Sequence, residues 1–202
     1  MFNKNIFENF VKTLIRTWLK SICTKIEIHN LKLILNKKYF GKLDQIYLEA
    51  KNLIYQNLYI NNLIIKIYDC NLKFNYRNHL IYSEDLIINS FLVIDNRNLK
   101  NIFFSNKCKK LRIKIEKVFT EGEVVSDIFI NNDLITLNYN INKLNKDIVL
   151  SLNLEENLIF LENINNKNKI FLTLDKNILF NSCHINNQLI NIDLTSKVIF
   201  NN

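Results

Sequence analysis

Cysteine and histidine are the residues of this chain best suited to nucleophilic, redox or metal chemistry, and their spacing favours none of the three. They are scattered, with no C-x-x-C pair and no H-E-x-x-H motif: Cys23, Cys70, Cys108, Cys183, His29, His79 and His184. Structural zinc sites and disulfide frameworks need closer spacing. We therefore expect small buried cysteines in a reducing compartment, no metal and no cofactor.

Adjacent carboxylates are the other candidates for catalysis, as a general acid and base. Glu84-Asp85 and Glu155-Glu156 both fall in segments that read as turns, where solvated charge is the ordinary explanation. Gly41 and Gly122 are the only two glycines and stand 81 positions apart, which excludes a Walker-type phosphate loop and a dinucleotide fingerprint. The sequence therefore predicts that this protein is not an enzyme.

The chain is basic, with a net charge of +8 and a pI of about 9.2. The 23 lysines far outnumber the 4 arginines, whereas recognition of base edges and bidentate contacts to phosphate favour arginine. The densest basic run is followed at once by Glu116 and consists of Lys107, Lys109, Lys110, Arg112 and Lys114. We expect no nucleic-acid partner and a weak preference for acidic lipid surfaces.

Composition points to the origin of the gene. The chain has 36 Asn, 32 Ile and 23 Lys against 1 Ala and no Pro, as an A/T-biased gene would encode, and we expect a plastid or another reduced genome. With so little glycine, asparagine is the residue that best tolerates positive φ in turns. Four asparagine pairs predict hairpin connections: Asn61-Asn62, Asn131-Asn132, Asn165-Asn166 and Asn186-Asn187.

The first 22 residues have the spacing of an amphipathic helix, predicted over 5–22. Apolar residues recur every three or four positions: Phe7, Phe10, Val11, Leu14, Ile15, Trp18, Leu19 and Ile22. Charged residues interrupt them about every fourth position, so the segment is neither a transmembrane span nor a signal peptide. It either packs against a sheet or lies on a membrane surface.

After Ile22 the hydrophobic period changes from about 3.6 to 2, which predicts strands over 23–94. Asp95 is placed to cap a short helix over 95–105, with Leu99, Ile102 and Phe103 on its apolar side. Antiparallel strands are then predicted within 111–200: Leu111–Phe119, Val124–Ile130, Leu134–Ile141, Ile148–Leu154, Leu158–Leu161, Ile170–Leu174, Ile178–Ile185 and Leu189–Phe200. We expect one domain over 1–202, of α+β class, with a strongly curved antiparallel β-meander wrapped around the long N-terminal helix.

Phe10 to Phe119 resembles a cyanobacterial and plastid family of unknown function that is related to the LmeA-type phospholipid-binding proteins of the bacterial envelope. The resemblance lies in the order of several motifs: T-W-L-K (Thr17–Lys20), K-I-E-I (Lys25–Ile28), F-G-K-L (Phe40–Leu43) and L-E-A-K-N-L-I-Y-Q-N-L (Leu48–Leu58). It implies a tubular lipid-binding-like fold, in which a curved sheet wraps a long helix, and binding or movement of phospholipids at a membrane.

These observations together predict a non-catalytic phospholipid-binding or lipid-transfer protein, soluble or peripheral to a plastid membrane. The alkyl chains would lie between the helix and the concave sheet, against Phe7, Phe10, Leu14, Trp18, Ile46, Leu48, Tyr68, Leu72 and Phe74. The alternative is a structural or assembly protein that binds a partner on a plastid membrane through a sheet face or strand edge.

Overall fold

The structure is a computed structural model that describes residues 4–36, 42–75, 80–83, 86–172 and 175–198. The helices in these residues are α1 (Lys4–Ile22), α2 (Asn96–Phe103) and α3 (Lys109–Phe119). The strands are β1 (Lys25–Leu35), β2 (Lys42–Tyr55), β3 (Leu58–Asn75), β4 (Leu80–Ser83), β5 (Leu86–Ile94), β6 (Val125–Asn131), β7 (Leu134–Ile141), β8 (Leu144–Glu155), β9 (Leu158–Asn163), β10 (Lys169–Leu172), β11 (Ile178–Asn186) and β12 (Leu189–Val198).

The described strands form two antiparallel sheets. The first has the order β1-β2-β3-β5-β12-β11, with β4 paired to β3, and the second has the order β10-β9-β8-β7-β6. The α+β class with antiparallel strands is thus confirmed. The single curved meander around a helix is wrong, because β12 returns to pair with β5, with Ile190 opposite Ile94, and the segment between them builds a separate sheet.

Helix α1 lies against one face of β1, β2 and β3, and its predicted span of 5–22 is confirmed. Its buried residues, Phe7, Val11 and Leu19, are four and eight positions apart, so they follow one side of the helix, and they meet the inward residues of the strands. This core cluster contains Phe7, Val11, Leu19, Leu31, Leu33, Leu43, Ile46, Leu48 and Cys70. The sheet supports the helix on one side and does not surround it.

The second sheet covers the other half of the same face of the first sheet. Leu86, Leu92 and Ile94 alternate along β5 and therefore point to one face. Leu86 packs against the α1 cluster, whereas Ile94 packs against Ile130 and Ile159 of the second sheet. One face of the long sheet is thus shared between α1 and the second sheet; the prediction of a single domain over 1–202 stays a prediction.

Helix α3 replaces the strand predicted at Leu111–Phe119, and that prediction is wrong. The segment LRIKIEKVF alternates over Leu111, Ile113 and Ile115, but it also satisfies helical spacing at Leu111, Ile115 and Phe119. The structure buries Ile115 and Phe119 and leaves Ile113 52% exposed. Helical packing of i, i+4 and i+8 therefore prevails over the alternation.

Among the described residues, five hairpins turn through two residues that both have positive φ, and each pair contains an asparagine. The pairs are Gln56-Asn57, Asn132-Asp133, Asn142-Lys143, Glu156-Asn157 and Asn187-Gln188. Positive φ at both central residues is typical of the type I′ turn, whose twist matches that of the flanking strands and which normally contains glycine. Asparagine substitutes for glycine as expected, but the turn predicted at Asn61-Asn62 is wrong, because these residues lie inside β3.

The beginning of α2 is fastened to both sheets by side-chain hydrogen bonds. Asp95 caps the helix as predicted, since its Oδ1 accepts from the Asn98 amide at 2.8 Å. Asn61 of β3 donates to the other Asp95 oxygen and accepts from the Asp95 amide at 2.8 Å. On the second sheet, the Asn96 side chain both accepts from and donates to the backbone of Ile130 in the edge strand β6.

We expect Asp95→Ala to lower the free energy of unfolding by about 2–3 kcal/mol. About 1 kcal/mol is the loss of the helix cap, and the remainder is the cost of leaving the Asn61 amide without its acceptor. Chemical denaturation measures the difference. Asp147→Ala removes an exposed carboxylate on β8 and should change the value by less than about 0.5 kcal/mol, and equal losses in the two variants would contradict the assignment.

Candidate apolar binding site

A cavity of about 170 Å³ lies where α2 and α3 meet the two sheets. Every described residue that lines it is Ile, Leu, Phe or Cys, and within the described part of the chain no polar atom contributes to its wall. Helices α2 and α3 form the roof of the cavity with Leu99, Ile102, Phe103, Leu111 and Ile115. A cavity of this kind excludes water, which needs two or more polar partners, and it suits an apolar ligand.

The roof is apolar on its inner side because of the spacing of its residues. Leu99, Ile102 and Phe103 are three and four apart on α2, and Leu111 and Ile115 are four apart on α3, so each helix turns one stripe inward. The loop between the helices is short, and contacts from Arg112 hold it in place. Arg112 donates to the Phe103 carbonyl at 3.2 Å and lies 5.7 Å from the centre of the Phe104 ring.

The volume limits the ligand. A cavity of about 150 Å³ admits one benzene ring, whereas pockets for drug-sized ligands measure about 300–1,000 Å³. The present cavity of about 170 Å³ therefore fits roughly six carbon atoms, the end of one acyl chain. A two-chain phospholipid does not fit in this conformation.

Cys183 contributes a thiol to the wall and is 8% exposed. Burial raises the pKa of this thiol to about 11, so the group is neutral at physiological pH. A neutral thiol behaves as a small apolar side chain and is a poor nucleophile, because the thiolate is the reactive form. Cys183 therefore belongs to the apolar wall and provides no catalytic nucleophile at neutral pH.

Among the residues predicted to line a lipid site, those whose side chains the structure describes do not line this cavity. Phe7, Ile46 and Leu48 are buried in the core cluster beneath α1. Leu14 is half-buried, and the backbones of Leu72 and Phe74 belong to β3 while their side chains lie outside the described part of the structure.

Three predicted interior positions are wrong, since Phe10 is 52%, Trp18 60% and Tyr68 49% exposed. On α1 the sheet covers the stripe of Phe7, Val11, Ile15 and Leu19, and the neighbouring apolar stripe lies beside that contact. The neighbouring stripe consists of Ile6, Phe10, Leu14, Trp18 and Ile22. On β3 the left-handed backbone of Asp69, with φ of 51°, changes the phase of the alternation, so Cys70 is buried and Tyr68 is not.

The sequence does not predict the cavity mainly because the alternation in 111–119 favours a strand over helix α3. Leu99, Ile102 and Phe103 form a helical stripe in the sequence, but their partner lies on α3 and on distant strands. The signal that would have found the roof is the run of Leu111, Ile115, Val118 and Phe119, which fits one side of a helix and leaves lysines on the other.

Comparisons with protein-family models, with curated proteins and with solved structures give no match for this chain. In the described part of the chain no helix combines the length and apolar character needed to cross a bilayer. Within the same residues no three His, Cys, Asp or Glu side chains come together as metal ligands.

Two neighbouring substitutions on α1 test the burial of this helix. Trp18→Ala should change the free energy of unfolding by less than about 0.5 kcal/mol, because the indole is 60% exposed. Leu19→Ala should cost about 2–4 kcal/mol, because Leu19 is 6% exposed and its removal leaves a cavity. Urea denaturation measures both, and a larger loss for Trp18→Ala would place the tryptophan in the core.

Alkylation of Cys183 tests the environment of its thiol. At pH 8 about a quarter of an ordinary thiol is thiolate, against roughly 0.1% of a thiol whose pKa is about 11. Iodoacetamide should therefore label Cys183 at least about 200-fold more slowly in the folded protein than in urea, with the rate rising about tenfold per pH unit. Peptide mass spectrometry separates the four cysteines, and equal rates in folded and unfolded protein would exclude the buried thiol.

Proposed function

We propose that this protein is a non-catalytic lipid-binding protein that takes the end of an acyl chain into the cavity beneath α2 and α3. The carrying observation is the wall of the cavity, which is apolar in all the residues that the structure describes there. Such a site offers no hydrogen bond to a polar ligand, and a polar group placed there would lose its contacts with water. An alkyl chain makes no hydrogen bonds with water, so it loses none on entering the cavity, and its transfer out of water is favourable.

The size of the cavity sets the strength of binding. Each buried methylene contributes about 0.8 kcal/mol, so roughly six carbons contribute about 5 kcal/mol before the costs of association. This corresponds to a dissociation constant of about 0.2 mM or weaker. Binding of this strength suits brief capture of a chain end and transfer more than storage.

The resemblance to the LmeA-type proteins supports lipid as the ligand class, and the A/T-biased composition supports a plastid as the compartment. Both remain parts of this proposal. A tubular, helix-wrapping sheet is not required, because the proposed site lies between two sheets and a helix pair.

A second candidate function, assembly with a protein partner on a plastid membrane, is favoured by the exposed side of α1. Trp18 is 60% exposed and Ile22 38% exposed, one turn apart on the stripe beside the sheet contact. Analysis of what purifies with the protein distinguishes the two candidate functions. Acyl lipids found by mass spectrometry in the purified protein favour the first, and a stable protein partner without lipid favours the second.

Titration with a fluorescent fatty acid in the absence of vesicles tests the cavity. Cys183→Leu adds two carbon-sized atoms to the wall and should displace about two methylenes of the ligand, which weakens binding about 10- to 15-fold. Cys23→Leu is the matched control, because Cys23 is equally buried, at 9%, but lies in another cluster with Leu53 and Leu63.

Both variants should keep cooperative thermal unfolding, which shows that the fold is intact. Equal weakening by Cys183→Leu and Cys23→Leu would show that the fatty acid binds elsewhere or responds to overpacking. Unchanged binding by Cys183→Leu would exclude the cavity as the site.

A further inference from the structure

The outer side of α3 is a lysine face, defined here as Lys109, Lys110, Lys114 and Lys117 together with Ile113. All five residues are exposed, and Ile113 is 52% exposed. At about 100° per residue they span an arc of roughly 140°, opposite the residues that α3 turns toward the cavity and the second sheet. The apolar side and the charged side of α3 thus point in opposite directions.

The charges of the lysine face are uncompensated. None of its four lysines forms an ion pair with a described residue, in contrast to Lys12 with Glu8 at 2.6 Å and Lys100 with Asp127 at 2.8 Å. The acidic residue of α3, Glu116, accepts from the backbone amide of Val125 at 3.1 Å. Glu121 and Glu123 follow the helix, and neither is within ion-pair distance of these lysines.

The chemistry of the face distinguishes among possible partners. The one arginine of the helix, Arg112, lies near the Phe104 ring and donates to the Phe103 carbonyl. Its guanidinium group, which is the side-chain group best suited to phosphate and bases, is therefore directed toward the protein itself. Ile113 lies among the lysines. A nucleic acid offers no apolar surface for this side chain, whereas the boundary between the headgroups and acyl chains of a bilayer does offer one. Lysines surrounding an apolar residue fit a membrane with acidic headgroups.

We propose that the lysine face of α3 docks the protein on the surface of an anionic membrane. This inference rests on the proposed function, since it orients the roof of the acyl site toward the lipids. Docking places the cavity one helix diameter, about 10 Å, from the headgroups. Each lysine near an anionic surface contributes about fivefold in affinity, so the four together favour anionic over neutral membranes by roughly 10²- to 10³-fold.

Vesicle sedimentation tests the docking. We expect the wild-type protein to sediment with vesicles of phosphatidylcholine containing 30% phosphatidylserine, and not with vesicles of phosphatidylcholine alone. Lys110→Gln with Lys114→Gln should weaken binding to the anionic vesicles about 25-fold. Binding should also fall as salt is raised, because screening weakens contacts between exposed charges.

The matched control is Lys32→Gln with Lys66→Gln, which lowers the net charge equally. Both lysines are exposed and lie opposite Tyr47 on the outer side of the first sheet, away from the face that α1 and the second sheet cover. This variant should bind within about twofold of wild type. An equal loss in both double variants would show that total charge, and not the lysine face, governs binding.

Other outcomes also overturn the proposal. Equal binding to neutral and anionic vesicles would exclude electrostatic docking, and tighter binding to an oligonucleotide or to polyglutamate than to anionic vesicles would assign the face to another class of partner. The two proposals fail separately. Lys110→Gln with Lys114→Gln should keep fatty-acid uptake in solution, and Cys183→Leu should keep vesicle binding.

Discussion

The hydrogen bonds at the start of α2 are the interaction on which the arrangement of the two sheets depends. Asn61 and Asp95 bind each other through side chain and backbone, and Asn96 satisfies both backbone groups of Ile130 at the edge of β6. A side-chain amide thereby takes the place of a neighbouring strand, which protects an exposed edge. Lys100 adds an ion pair to Asp127, and its hydrogen bond lowers the pKa of that carboxyl.

The same polar contacts make an apolar cavity possible. At the N-terminus of α2 the Asn98 amide donates to the Asp95 side chain and the Leu99 amide donates to the Asp95 carbonyl, so these two backbone donors need no partner beneath the helix. The inner side of the helix is then free to be wholly apolar. The cavity lies where a helix pair meets two sheets, and its wall of branched and aromatic side chains leaves space for a chain end and no site for water.

Sequence patterns predicted the elements whose signals are local. Helix α1, the cap at Asp95 and the hairpins of the second sheet follow from hydrophobic period and turn chemistry, which act within a few residues. The pairing of β5 with β12 is not local, and nothing near Ile94 identifies Ile190 as its neighbour. The exposure of Trp18 could not be predicted either, because two adjacent apolar stripes on α1 look alike until a sheet covers one of them. On β3 the positive φ of Asp69 changes the alternation of the strand, so Tyr68 is exposed although the pattern predicts that it is buried.

Helix α3 joins the two proposals physically. In the proposed function its inner residues close an acyl site whose ligand gains about 5 kcal/mol, so the protein in solution would hold a chain end only briefly. On the proposed anionic membrane its outer lysines would concentrate the protein where acyl chains are abundant, so the local concentration of ligand would exceed that in solution by orders of magnitude without any new contact in the cavity. In this proposal a small cavity and a charged roof are complementary, because association with the surface would supply the occupancy that the cavity alone does not.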